Sequence, residues 1–224
     1  MIERHFGESA PLSIGVEEEV MILDAETLEP AAGVHVLVHG AAQLDLPGTL
    51  KTELHASVVE LTTDICSDVG EVVAALRELR AAADSIARDN GYVIAAAGAH
   101  PTAALSALPV VQEERYLAMM RDVGYAARRQ GVNGLHVHVG IESADACYER
   151  LEAVLPWLPV VLALSANSPF AEGADTGRRS ERAERLLEMP TGGTPPVLRS
   201  WEDWTAATRG DGTRRHWDAW PRPE

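Results

Sequence analysis

Glu17, Glu18 and Glu19 stand together in the run Gly15-Val16-Glu17-Glu18-Glu19-Val20-Met21-Ile22-Leu23. The aliphatic and β-branched residues after the acidic trio favour a pleated, half-buried strand. Side chains on a strand alternate between faces. Glu17 and Glu19 therefore share one face, with Met21 and Leu23 beyond them. Val16, Val20 and Ile22 take the other, together with Glu18. Two carboxylates side by side repel each other. Water offsets that cost on an exposed edge, and a divalent cation offsets it in a pocket. A second acidic pair lies at Glu53 and Glu60, inside a segment from Leu50 to Asp64 that reads as one strand. There Glu53, His55 and Ser57 have one parity and Glu60 the other, so strict alternation separates the two glutamates.

The third chemical stretch is Asn133-Gly134-Leu135-His136-Val137-His138-Val139-Gly140-Ile141. Its alternation predicts a strand with Leu135, Val137, Val139 and Ile141 toward the core. His136, His138 and Gly140 then face the other way. Two histidines on one strand face can be an exposed surface or ligands for a metal or phosphate. Gly140 on the same face leaves room for close approach.

The elements that must carry these residues follow from pattern. Asp24 to Gly33 reads as a loop, Val34 to Leu46 as a short helix, and Pro47-Gly48 as a turn. Asp68 to Asn90 is the clearest helix, with Asp68 as cap, Glu71 three residues on, and Val72, Ala75, Leu76, Leu79, Ala83 and Ile86 at helical spacing. Asn90-Gly91 ends it. Tyr92 to His100 reads as a third strand, closed by a histidine that is either a hydrogen-bonded structural residue or a ligand. Gln112 to Gln130 reads as a helix with Tyr116, Met119, Met120 and Val123 inward. Ser143 to Ser165 reads as two helices around a proline break, and Asn167-Ser168-Pro169-Phe170 as a closing turn.

The chain has 224 residues, a formal charge of −15, and 46% hydrophobic residues. That length suits one domain with a real core. The acidic balance argues against a nucleic-acid binder, which needs a basic face to neutralise phosphates. Two cysteines, Cys66 and Cys147, imply no disulfide framework, and a reducing cytoplasm is the expected location. The first residues show no signal pattern. The longest apolar run, Ala153 to Ala166, is interrupted by Pro156 and Pro159 and falls short of the ~20 residues a membrane span needs. After Phe170 arginines become dense: Arg178, Arg179, Arg182, Arg185, Arg199, Arg209, Arg214, Arg215 and Arg222. Near a carboxylate-rich pocket, arginine can hold phosphate or a substrate carboxylate bidentately. On a solvated helix it pairs with glutamate, and Arg178 to Glu188 alternates charge in that way.

Five stretches together resemble one family. They are Gly15 to Glu19; Glu53 to Glu60 followed by Leu61-Thr62; and Gly134 to Gly140. The fourth is Pro156-Trp157-Leu158-Pro159 continuing through Leu164 to Phe170. The fifth is Asp175-Thr176-Gly177 with Pro190-Thr191-Gly192-Gly193. The chain is similar over nearly its whole length to the carboxylate–amine ligases of the glutamate–cysteine ligase type 2 group.

The resemblance implies an α+β fold related to glutamine synthetase, a single domain over 1–224. Its curved, mainly antiparallel sheet would have helices on the outer side and a funnel on the concave face. It implies that ATP phosphorylates a substrate carboxylate, typically the side chain of glutamate, and that an amine then displaces phosphate to form an amide. Carried over by position, Glu17, Glu19, Glu53, Glu60 and His136 would hold Mg²⁺. Oxygen donors spread over several strands suit that ion. Arg182 would face phosphate or substrate as a catalytic and nucleotide-binding residue. His138 and Asn167 would support the nucleotide, and Ser165 and His100 would line the pocket. For Glu53 and Glu60 to meet, a bulge is expected near Ala56–Val58.

The resemblance also implies a further strand, reading approximately Gly-Thr-Val-Glu-Val-Arg, after the stretch from Trp217 to Pro223, whereas the sequence stops at Glu224. Position 181 is Glu and position 189 is Met where aromatics are usual. The expectation is a fragment, a ligase half completed by a partner chain, or a domain that no longer catalyses the full ligation. An uncovered sheet edge would then favour a partner chain or a homo-oligomer. Two other readings compete with the ligase. One is a non-catalytic nucleotide- or amino-acid-binding subunit. The other is a metal-dependent hydrolase using Zn²⁺ or Mn²⁺, disfavoured by so carboxylate-rich a ligand set.

Overall fold

The computed structural model describes residues 6–189 and 200–203. Pro190 to Gly193, Arg199, Arg209, Arg214, Arg215, Arg222 and the stretch from Trp217 to Pro223 lie outside the described residues. The organising strand is β1 (Ile14–Asp24). Val16, Val20 and Ile22 are buried, as alternation requires, and Glu18 is buried with them. β1 pairs antiparallel with β3 (Val58–Thr63) along one edge. Along its other edge two strands follow in tandem. β5 (Leu135–Val139) pairs with residues 14–18 and β4 (Tyr92–Ala95) with residues 21–24. β2 (Gly48–Thr52) completes the order on the far side of β3. Every strand pairing among the described residues is antiparallel.

The segment expected as one strand, Leu50 to Asp64, is two strands joined by a reversal. The chain turns through residues 53–57, where Val58 N–H donates to His55 O at 3.0 Å. No bulge is needed near Ala56–Val58, because β2 and β3 run in opposite directions. The loop is fastened from outside: Ala56 N–H donates to Pro109 O and Val111 N–H to Leu54 O. Parity along one continuous strand could not show this, since no Gly, Pro or Asn marks the reversal.

One face of the sheet is covered by α1 (Val34–Ala41) and α2 (Val69–Asp89). The Asp68 side chain accepts Glu71 N–H at 3.0 Å, and Glu71 reaches back to Ser67 N–H at 2.7 Å. This satisfies donors that a helix start leaves open. Leu79, Ala83 and Ala87 face inward and pack with Val20, Ile22, Val59 and Leu61 into the main core. Arg80 on the same helix forms a two-point ion pair with the buried Glu18 carboxylate. Glu18 thus lies on the helix side, and Glu17 and Glu19 on the opposite face.

Three further expectations are corrected. The third strand ends at Ala95, and residues 96–100 form a loop. The helix expected over Gln112 to Gln130 is α3 (Glu114–Val123) and α4 (Tyr125–Arg128), separated by Gly124 at φ +69°. The apolar residues of β5 do not enter the core: Leu135 and Val137 are each 62% exposed. Beyond β5 come α5 (Ala144–Val154) and α6 (Leu158–Ser165), with the proline break between them as a 3₁₀ turn at Leu155–Trp157. A two-stranded ribbon, β6 (Phe170–Ala171) and β7 (Ala174–Asp175), and α7 (Glu181–Leu186) follow. No helix of the described residues is long and apolar enough to cross a membrane.

Candidate metal centre

Three carboxylates converge on the sheet face away from α2. Glu19 and Glu60 are direct partners in the β1–β3 ladder. Glu53 enters from the β2–β3 reversal. Each offers an oxygen, and the three oxygens lie within 4.8 Å of one another. Their surroundings hold them there. Glu19 accepts Gly134 N–H at 2.7 Å, and its own N–H donates to Gly134 O. Thr62 Oγ donates to Glu60 at 2.9 Å, and Lys51 Nζ sits 3.6 Å from the same carboxylate. The Tyr116 hydroxyl, buried under β2, donates to Thr52 O at 3.0 Å and lies 3.4 Å from Glu53 Oε2.

The electrostatics at Glu19 are unfavourable. Burial pushes the Glu19 carboxyl above its ordinary value. The Gly134 N–H opposes that push, and the charges of Glu53 and Glu60 add to it. An oxygen-only set of this kind fits a hard divalent cation such as Mg²⁺ or Mn²⁺ better than Zn²⁺.

Glu17 and His136 form a separate group beside this trio. They are ladder partners on β1 and β5. His136 Nδ1 lies 3.4 Å and His138 Nε2 3.1 Å from the same Glu17 oxygen. Burial tends to raise the Glu17 carboxyl, but hydrogen bonds from His138 and His136 and the His138 charge outweigh it, and the net direction is down. The five residues expected in one metal shell therefore fall into two neighbouring groups on one face, and His138 belongs with the second as closely as His136 does.

One arginine stands beside the trio, close enough to feel the Glu19 charge. The Arg182 guanidinium donates through Nε to Asn133 O. Burial holds its pKa below the ordinary arginine value, with the Glu19 charge opposing. Asn167 Oδ1 accepts Gly98 N–H at 3.0 Å and the Ser168 hydroxyl at 2.7 Å. The other two residues expected in the pocket have local duties. His100 is buried, contacts Leu28 O through Nε2 at 3.0 Å, and accepts Ala103 N–H at Nδ1. Ser165 Oγ turns back to Leu162 O within its own helix. Sequence reasoning missed Asn133, Gly98 and Thr52. Only Asn133 carried a signal, as the polar residue opening the histidine strand.

A family model described as glutamate-cysteine ligase family 2 (GCS2) matches residues 13–211. The chain belongs to this family. Among curated relatives it is 36% identical over 232 residues to a protein of Rubrobacter xylanophilus provisionally named glutamate–cysteine ligase 2-3, covering 100% of this chain and 64% of that one. It is 38% identical over 193 residues to the glutamate–cysteine ligase of Haloferax volcanii, covering 86% and 54%. A protein of Herpetosiphon aurantiacus, provisionally named glutamate–cysteine ligase 2, is 35% identical over 95% of this chain and 57% of its own. The chain thus spans between half and two thirds of the length of these relatives. The GCS2 match contains all the carboxylates, both histidines, Asn167 and Arg182.

Proposed function

We propose that the chain is the metal- and nucleotide-binding part of an ATP-dependent carboxylate–amine ligase, acting in the cytoplasm on a glutamate-like acid and a small amine. The observation that carries the reading is the convergence of Glu19, Glu53 and Glu60, whose oxygens lie close enough to share one cation, within a chain of the glutamate–cysteine ligase family. A fold of the glutamine synthetase kind, with the sheet curved around a funnel, fits the antiparallel sheet whose helices α1 and α2 keep to one face.

The reaction fits the residues. A carboxylate oxygen would take the γ-phosphoryl group from ATP, with ADP leaving. The amine nitrogen would then attack the acyl carbon, expel phosphate and lose a proton. Bound Mg²⁺ would screen the phosphate oxygens and offset charge as it moves. Phosphoryl transfer asks the protein mainly for position and charge. Glu19, Glu53 and Glu60 would hold one cation, and Glu17 with His136 would provide oxygen and nitrogen donors for a second. His138 keeps the Glu17 carboxylate ionised and oriented. Arg182 would draw the phosphate toward the trio from the other side, and Asn167 would support it.

Phosphate release and ADP formation from ATP, with glutamate and a panel of amines, test the reading. ADP appearing only with acid and amine present is the expected result. ATP and Mn²⁺ binding by calorimetry with no amide product would favour the non-catalytic binding subunit. Absence of both, including with a full-length relative's remaining segment added, would overturn the proposal. We also propose that a second polypeptide or second copy covers the exposed faces of β5 and α6.

A further inference from the structure

Residues 97–99 form the junction of four separate segments. Asn133 N–H donates to Gly98 O and its side-chain Nδ2 to Ala97 O, both at 2.8 Å. Asn167 takes Gly98 N–H, and the Ser168 hydroxyl takes Ala99 N–H at 2.9 Å. Ser168 O in turn accepts Glu181 N–H at 3.0 Å, which pins the start of α7 one residue before Arg182. A Cβ built on Gly98 would overlap Asn167 Oδ1 and lie 2.8 Å from Arg182 Cδ and 3.0 Å from Ser168 Oγ. Asn167 and Arg182 can occupy their places only because position 98 has no side chain.

The same junction reaches the carboxylates. Asn133 O accepts Arg182 Nε, and the next residue, Gly134, donates its N–H to Glu19 Oε2. Consecutive residues of one backbone therefore hold the guanidinium and the central metal-side carboxylate. Asn133 is itself buried and anchored through its amide.

We propose that Gly98 and Asn133 are positioning residues: together they seat Arg182 so that its terminal nitrogens sit at a fixed separation from Glu19. Those nitrogens make no hydrogen bond among the described residues and are left for an anion, the phosphate chain of a nucleotide under the function proposed above, on which this inference rests. Arginine recognises phosphate through geometry as well as charge, so an unseated guanidinium loses the bidentate fit.

The test uses the whole chain with Mn²⁺ and a non-hydrolysable ATP analogue, comparing wild type, Gly98→Ala, Arg182→Lys and the double variant. Gly98→Ala should weaken analogue binding about tenfold, while Mn²⁺ affinity without nucleotide stays within about twofold, as expected for a site that keeps its own ligands. The double variant should bind no worse than Arg182→Lys, because both changes remove one interaction. The Arg182 Nε–H resonance, assigned by its loss in Arg182→Lys, should shift or broaden in Gly98→Ala while the amide spectrum stays folded. Asn133→Leu, which removes the Nδ2 donor without adding charge and keeps the backbone carbonyl, gives the same readouts should Gly98→Ala not fold. Additive losses, a parallel fall in Mn²⁺ affinity, or an unchanged Nε–H signal would overturn the seat. If the wild type bound Mn²⁺ but no nucleotide, while the Nε–H signal still responded to Gly98→Ala, the ligase reading would fall and the seat would stand.

Discussion

Glu19 works against the fold that holds it. Its carboxyl is raised by burial and by two acidic neighbours, so ionising it without a bound cation costs the protein stability. Glu19→Gln removes that charge and can still accept the Gly134 N–H through its amide oxygen. We expect the metal-free variant to melt a few degrees higher, about 1 kcal/mol at this chain length. Mn²⁺ affinity, read by the free-ion paramagnetic signal, should fall at least tenfold. Lower stability together with unchanged affinity would remove Glu19 from the metal set. His55, in the reversal beside Glu53, makes a different prediction. It is 2% exposed, and among the described residues neither ring nitrogen makes a well-formed hydrogen bond, the Leu108 carbonyl lying close enough to favour the proton without completing one. Burial pushes it from 6.5 down to about 4, with the Leu108 carbonyl opposing. Between those values the unfolded chain binds the proton and the folded chain does not. Stability from this group is therefore complete above about pH 6.5 and lost as pH falls toward 4. It should amount to about 2 kcal/mol between pH 7.5 and pH 5. Urea titrations at the two pH values should show that drop in the wild type and a smaller one in His55→Phe, the difference isolating His55 from the carboxylates.

Among the elements, β1 and α2 were readable because alternation and helical spacing are direct records of burial. Val16, Val20 and Ile22 went inward as spaced, and Asp68 capped as placed. The β2–β3 reversal was not readable. Its residues, Glu53 to Ser57, include no Gly, Pro, Asn or Asp to mark a turn, and the loop is fastened by backbone bonds to Pro109 and Val111, far away in sequence. The family resemblance required Glu53 and Glu60 to meet, but it could not say whether a bulge or a hairpin brought them together. Besides apolar packing, β1 and α2 are tied by the Glu18–Arg80 pair. Arg80→Met leaves the buried Glu18 carboxylate without a counter-ion. Half of the Arg80 side chain is exposed, so we expect a loss near 2 kcal/mol, below the range for a fully enclosed pair. Glu18→Leu combined with Arg80→Met should recover most of it in chemical denaturation. Additive losses would show that the pair is not coupled.

At the scale of the molecule the least legible feature was coverage. The pattern of β5 correctly separated histidines from aliphatics, but a pattern cannot say whether a covering layer is present. Leu135, Val137 and Val139 are exposed, as are Trp157, Val160, Val161, Leu162 and Leu164 across the 3₁₀ turn and α6. Apolar side chains exposed in such number on a strand and on a helix mark an interface or an aggregation hazard. The chain should bind an environment-sensitive dye strongly and elute larger than its 24.1 kDa in gel filtration, with the apparent mass rising on concentration. A monomer silent to the dye would show these faces to be covered. The two acidic groups raise a final consequence. Glu17 and Glu19 sit two positions apart on β1, which is hydrogen-bonded along both edges there. The pleat of that ribbon works as a ruler, setting about 7 Å between the two backbone positions, so two ions bound there would keep a spacing that neither could adjust alone.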